Sequence, residues 1–169
     1  MAKITSLERY AKPGSVVYCK IGFLSLAEHS GIYIGGNLIV EITDRDGKAW
    51  IRCADPRHFL TRLEDERAGK LKESGKIYIA SDKNGHSFGS EQVAQRAKTA
   101  YESAKSQAKG KDYAYFPAGD SELNCHKFSA GCLLRNFKND CGRFDKLEEA
   151  IRKTYGEFEW TYVEIGANS

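Results

Sequence analysis

No run of about 18 apolar residues occurs in this chain, so no transmembrane helix is expected. The opening stretch, Met1 to Tyr10, lacks the apolar core of a secretory signal peptide, and a cytoplasmic location is the expectation. No Cys-x-x-Cys pair is present. The five cysteines (Cys19, Cys53, Cys125, Cys132, Cys141) are odd in number and irregularly spaced, so neither a disulfide framework nor a metal site is expected. Reduced thiols follow, most of them small buried hydrophobes. There is no block of one charge: basic residues are interleaved with acidic ones and the formal net charge is only +3, which argues against nucleic acid or an anionic membrane as partner. Repeats, low-complexity tracts and linkers are also missing. The 169 residues therefore read as a single domain with room for a real core, and no cofactor is called for.

What is present reads as an α+β pattern. Pro13-Gly14 signals a turn, and Ser15 to Ile21, rich in β-branched and aromatic residues, reads as a strand. After a connection over 22–28, His29 to Ile34 and Leu38 to Ile42 read as strands around a Gly35-Gly36-Asn37 hairpin turn. A polar turn at Thr43 to Gly47 leads to a fourth strand, Lys48 to Cys53; such a meander favours antiparallel pairing. Pro56 to Leu63 suggests a short helix, and Lys76 to Ala80 a short strand. The helical spacing of Val93, Ala97, Ala100, Tyr101 and Ala104 predicts a long helix over 90–109. Asp112 to Glu122 reads as a loop. Helices are expected from Cys125 to about Asn136 and from Lys146 to Tyr155, then a closing strand from Phe158 to Ile165. The sum is a mostly antiparallel sheet with helices packed against it.

Three residues carry the chemistry. Asn124 is a good helix N-cap, which puts Cys125 among the unpaired N–H groups of a helix start. That setting favours thiolate, and the same N–H groups can stabilise an oxyanion. A buried core cysteine is the alternative. His29 has the usual side chain for activating a thiol; a surface histidine at a strand end is the alternative. Glu41 lies twelve positions after His29, across the hairpin, within reach of a cross-strand pair, and could fix the imidazole tautomer. A solvent-facing glutamate is the alternative. His126 and Lys127 are read first as a solvated helical turn, with substrate contact the other option. Tyr113 and Tyr115 either line a cleft ahead of Cys125 or pack under a loop, so the candidate cleft set is Asn124, His126, Tyr113 and Tyr115. Cys132, seven residues after Cys125, reads as core. His58 and His86 lack ligand spacing and read as exposed.

The strand His29-x-x-Ile32-Tyr33-Ile34-Gly35, the polar Glu41 and the later helix start Asn124-Cys125-x-x-Phe128 resemble the lecithin:retinol acyltransferase-like family, circularly permuted relatives of the NlpC-type papain-like cysteine peptidases. Pro13-Gly14-Ser15 is similar to that family's first strand. The resemblance covers about 13–137 and implies a permuted papain-like fold with Cys125 as nucleophile, His29 as base and Glu41 as the third polar residue. Asn124 and Phe128 match the flanking positions. Three departures stand out: animal members usually read Asn-Cys-Glu-His-Phe where this chain has Asn-Cys-His-Lys-Phe, many use histidine at the third position, and many end in a membrane-spanning helix where this chain has a polar tail.

The expected activity is a thiol hydrolase or acyltransferase working through an acyl-thioester on Cys125. Its substrate would be an acyl lipid, by the resemblance, or a peptide-like amide, by the papain-like kinship. A non-catalytic binding module on the same fold and a redox sensor using Cys125 are the competing classes.

Overall fold

The computed structural model describes residues 6–21, 27–103, 111–114, 117, 119 and 122–166. It is an α+β structure built on a curled eight-stranded sheet: β1 (Val16–Ile21), β2 (Ala27–Gly35), β3 (Leu38–Arg45), β4 (Lys48–Ala54), β5 (Ser74–Ser81), β6 (Asp112–Tyr113), β7 (Glu122–Leu123) and β8 (Glu159–Gly166). The strand order is β7-β6-β4-β3-β2-β1-β5-β8, and every pairing is antiparallel except β6 with β7. The helices are α1 (Pro56–Phe59), α2 (Leu63–Arg67), α3 (Glu91–Glu102), α4 (Cys125–Leu134) and α5 (Phe144–Tyr155).

Two-residue turns set the register of the central meander. Gly36 and Asn37 both have positive φ, as do Asp46 and Gly47, the pattern whose twist matches a right-handed hairpin. Successive side chains of a strand point to opposite faces, and both faces of the central strands are covered. Val16, Ile32 and Val40 join α3, α4 and α5 in one apolar cluster, while Val17, Tyr33 and Ile39 join Phe59, Leu60, Ile77 and Ile79 in the other. Helix α4 is buried nearly all round, which is what a helix apolar on every side requires.

Several boundaries differ from the sequence expectations. The turn expected at Thr43 to Gly47 is confined to Asp46 and Gly47, because Thr43 and Asp44 still pair with Trp50 and Ala49. The short helix expected over Pro56 to Leu63 breaks into α1 and α2. The expected Asp112 to Glu122 loop contains β6 and β7, which extend the sheet beyond β4. Helix α3 runs to Glu102, and residues 104–110 of the expected long helix lie outside the described residues. Among the described residues no helix is long and apolar enough to cross a membrane.

Candidate active site

Helix α4 delivers the cysteine. Asn124 is extended and caps the helix: its Oδ1 accepts a hydrogen bond from the Lys127 N–H at 2.8 Å, and its Nδ2 donates to the Gly142 carbonyl at 2.6 Å. Cys125 is the first helical residue and is only 3 % exposed. The sulfur therefore sits at the positive end of the helix.

Strand β2 delivers the histidine. His29 is buried, pairs with Cys19 across β1, and rests on the Phe59 ring with centroids 5.0 Å apart. The backbone partner of Glu41 is Gly31, so His29 and Glu41 are diagonal neighbours on one face of the sheet. Their separation is 3.3 Å, from His29 Nε2 to Glu41 Oε2. No donor is well aligned on that oxygen among the described residues, so the attraction is that of an ion pair rather than a directed hydrogen bond. His29 also faces Cys125: the two line one cavity, and their side chains interact electrostatically. With Nε2 turned to the carboxylate, Nδ1 is the ring nitrogen left for sulfur.

Matching in depth does not mean matching in charge. Burial pulls the His29 imidazolium down, but the Glu41 carboxylate and Cys125 outweigh it and raise its pKa from 6.5 to about 10. Burial likewise pushes the Cys125 thiol up, yet His126 and His29 together hold it well below its ordinary value. The other four cysteines all go the other way, with burial raising each of them. Of five thiols in one chain, only the one at the helix start is favoured as thiolate.

The chain matches no protein-family model, no curated protein and no solved structure. What the site can do is therefore argued from its own geometry.

His126 and Lys127 are not the solvated helical turn that the sequence suggested. They are 7 % and 3 % exposed. The Lys127 ammonium donates to the carbonyls of Gly119 and Glu122 at 2.7 and 3.2 Å, which ties the preceding segment to the helix. His126 Nδ1 lies 3.8 Å from the Cys125 sulfur and 2.8 Å from the Ser30 hydroxyl oxygen. The sulfur thus has an imidazole from β2 and another from its own helix.

A cavity of about 220 Å³ opens on this cluster, lined by His29, Cys125, His126, Asn124 and Tyr113. Glu28, Asp44, Arg62 and Glu64 stand around it. Tyr115 lies outside the described residues. Cys132 is a core residue, as its spacing suggested. His58 and His86 lie away from the sulfur, paired with Asp55 and Asp82. Among the described residues no group of three or more His, Cys, Asp or Glu side chains is placed to hold a metal ion.

Two residues of this neighbourhood escaped the sequence reading. Ser30 was hidden because an isolated serine in a strand carries no pattern. Arg52 did carry a signal: it follows the Asp46-Gly47 turn by as many positions as Glu41 precedes it, so hairpin counting alone places the two opposite each other.

Proposed function

We propose that this chain is a cysteine-dependent hydrolase or acyltransferase on a permuted papain-like fold, acting on ester or amide bonds. The observation that carries the reading is the meeting, in one cavity, of Cys125 at a capped helix start and His29, whose Nε2 lies 3.3 Å from the buried Glu41 carboxylate. A nucleophile, a base and an orienting group in one cluster are the usual signature of covalent catalysis. The order of the parts, histidine strand before cysteine helix, agrees with the lecithin:retinol acyltransferase-like resemblance.

In the proposed reaction Cys125 rests as thiolate beside the His29 imidazolium. The sulfur attacks the substrate carbonyl carbon, and the carbonyl oxygen takes up the negative charge. N–H groups at the start of α4 stabilise that oxyanion. The carbon–leaving-group bond breaks, and His29 gives its proton to the departing alcohol or amine. An acyl-thioester on Cys125 remains. Neutral His29 then takes a proton from water or an acceptor hydroxyl or amine, whose oxygen or nitrogen attacks the thioester, and Cys125 leaves as thiolate. Glu41 holds His29 through both halves.

The cleft supports a modest or polar acyl group. Its volume falls below the ~300–1,000 Å³ usual for sites that enclose a drug-sized ligand, and its mouth is charged. Five free thiols suit a reducing, cytoplasmic compartment.

The test is substrate-independent first. Cys125 should be alkylated fast by iodoacetamide at mildly acid pH, read by peptide mass spectrometry, and His29→Ala should abolish that advantage. Slow labelling of Cys125 that is indifferent to His29 would sink the proposal. Release assays on matched short-chain ester, long-chain lipid and peptide amide substrates then assign the acyl donor.

A further inference from the structure

Arg52 is 8 % exposed and all of its nitrogens are used. Nε donates to Glu41 Oε1 at 2.8 Å, Nη1 to Glu66 Oε2 at 2.6 Å, and Nη2 to the His58 carbonyl at 3.0 Å. Glu41 and Arg52 are direct register partners on β3 and β4. Glu66 belongs to α2, whose first residue Leu63 and neighbouring Arg62 line the cleft over Cys125.

We propose that Arg52 is a positioning residue for the thiol chemistry: it gives Glu41 a permanent counter-charge and holds it aimed at His29, and through Glu66 it ties that carboxylate to the α2 wall of the cleft. The inference rests on the Cys125–His29–Glu41 reading.

The physical need is specific. Glu41 is 1 % exposed, and a buried carboxylate is costly to leave without a partnered cation. His29 cannot serve as that cation throughout, because a base must be neutral for part of each cycle. Arg52 never gives up its proton. It supplies a permanent counter-charge while the charge of His29 comes and goes. The planar fork matters as well as the charge, since three acceptors in different elements are met by one rigid group. A lysine would keep the counter-charge beside Glu41, which the thiol depends on, and lose only the ties to Glu66 and the His58 carbonyl. The groups facing Glu41 are His29 from β2, Arg52 and Cys53 from β4, and Cys19 from β1; those facing Arg52 are Glu41 and Glu66, with His58 beyond Glu66 at 4.0 Å.

The experiment measures iodoacetamide labelling of Cys125 between pH 5 and 9 in the full chain, with folding checked by circular dichroism. The variants are H29A, E41Q, R52M, R52K and the double E41Q/R52M. If Arg52 acts through Glu41, R52M slows labelling at pH 6 about tenfold or more, R52K recovers most of the rate, and the double variant labels no more slowly than E41Q alone. R52M labelling like wild type, or a double variant slower than E41Q by the full R52M factor, overturns the inference. R52M leaves a buried charge unpaired; should it fail to fold, the decision passes to R52K and to E41Q/R52M, which leaves none. Then R52K close to wild type with E41Q/R52M equal to E41Q supports the inference, and R52K as slow as H29A overturns it. H29A serves a separate purpose: wild-type labelling there removes the underlying reading, whereas slow H29A with normal R52M overturns the Arg52 inference alone.

Discussion

Ser30 and His126 join β2 to the start of α4, with the Ser30 hydroxyl oxygen 2.8 Å from His126 Nδ1 and 3.1 Å from the Ser129 hydroxyl oxygen. Ser30 directly follows His29, and neighbouring strand residues point to opposite faces. Two adjacent positions on one strand thus serve the two imidazoles beside Cys125. Ser30→Ala removes the hydroxyl partner of a buried ring. The expected cost is about 1–3 kcal/mol in urea unfolding, with Cys125 labelling at pH 6 slowed less than in His29→Ala. Equal loss in both variants would show that His126 governs the thiol as much as His29 does.

Within the proposed triad the order of importance follows from the roles. Cys125→Ala should abolish turnover with the fold retained near pH 6 to 7, since the thiol is removed and the His29 charge left behind is still paired with Glu41. His29→Ala should come next, and Glu41→Gln should slow the reaction least, because it weakens orientation without deleting the proton carrier. Single-turnover rates on whichever substrate the release assays identify would check that order, and Glu41→Gln slower than His29→Ala would reverse it.

Stability should be level across neutral pH and fall on both sides. His29 is raised from 6.5 to about 10 on folding, so its contribution is complete below 6.5 and is lost as pH rises through 10. Cys125 is lowered below its ordinary 9.0, so its contribution is present above 9.0 and is lost as pH falls through the folded value. Between 6.5 and 9.0 both the folded pair and the unfolded pair hold one proton, and the pair adds no slope. Cys125→Ala breaks that balance. Folded His29 keeps its proton beside Glu41 while the unfolded chain loses it above 6.5, so stability should decline by up to about 1.4 kcal/mol per pH unit. Urea titrations from pH 6 to 9 on both proteins would reveal the plateau and the slope; parallel curves would contradict the charged pair.

Asn124→Asp separates capping from electrostatics. Aspartate keeps the acceptor for the Lys127 N–H but loses the donor to the Gly142 carbonyl and adds a negative charge next to the sulfur. Cys125 labelling should move to higher pH, while Asn124→Ala should cost about 1–2 kcal/mol of stability through loss of the cap. Denaturant unfolding and pH-resolved alkylation report the two effects independently.

Gly31 is the register partner of Glu41, and its missing side chain is a packing requirement. A Cβ there would lie 2.7 Å from Ile39 Cγ2 and 2.9 Å from the Val40 carbonyl oxygen, with the Phe59 ring 3.2 Å away. Gly31→Ala should cost about 1–3 kcal/mol, seen as a lowered melting temperature, and should slow Cys125 labelling because His29 rests on the same Phe59 ring. An unchanged melting temperature would mean that β2 and β3 shift apart freely.

Much of the site was legible where local rules act alone. The Asn124 cap, the Cys125 helix start and the strands around Gly36-Asn37 follow from short-range preferences, and the fold class follows from the alternation of the meander. The burial of His126 and Lys127 was not legible, because two polar residues in a helical first turn look the same whether solvent or a neighbouring element covers them. Burial there comes from β2, which is distant in sequence, and from the carbonyls just before the helix that Lys127 fastens. The β6–β7 pair was missed for a similar reason: strands of two residues are specified by their partners rather than by their own composition. Arg52 differs from these, since the turn at Asp46-Gly47 determines its partner and only the counting was needed.

Ser30 and His126 lie 96 positions apart, and His29, Glu41 and Arg52 all come from the early meander while the sulfur arrives with α4. A chain that has not yet docked α4 carries an ordinary thiol and an idle imidazole. Acid-side labelling of Cys125 should therefore count only molecules whose early and late halves have met, which makes this one sulfur a reporter on the docking of α4 against the early meander.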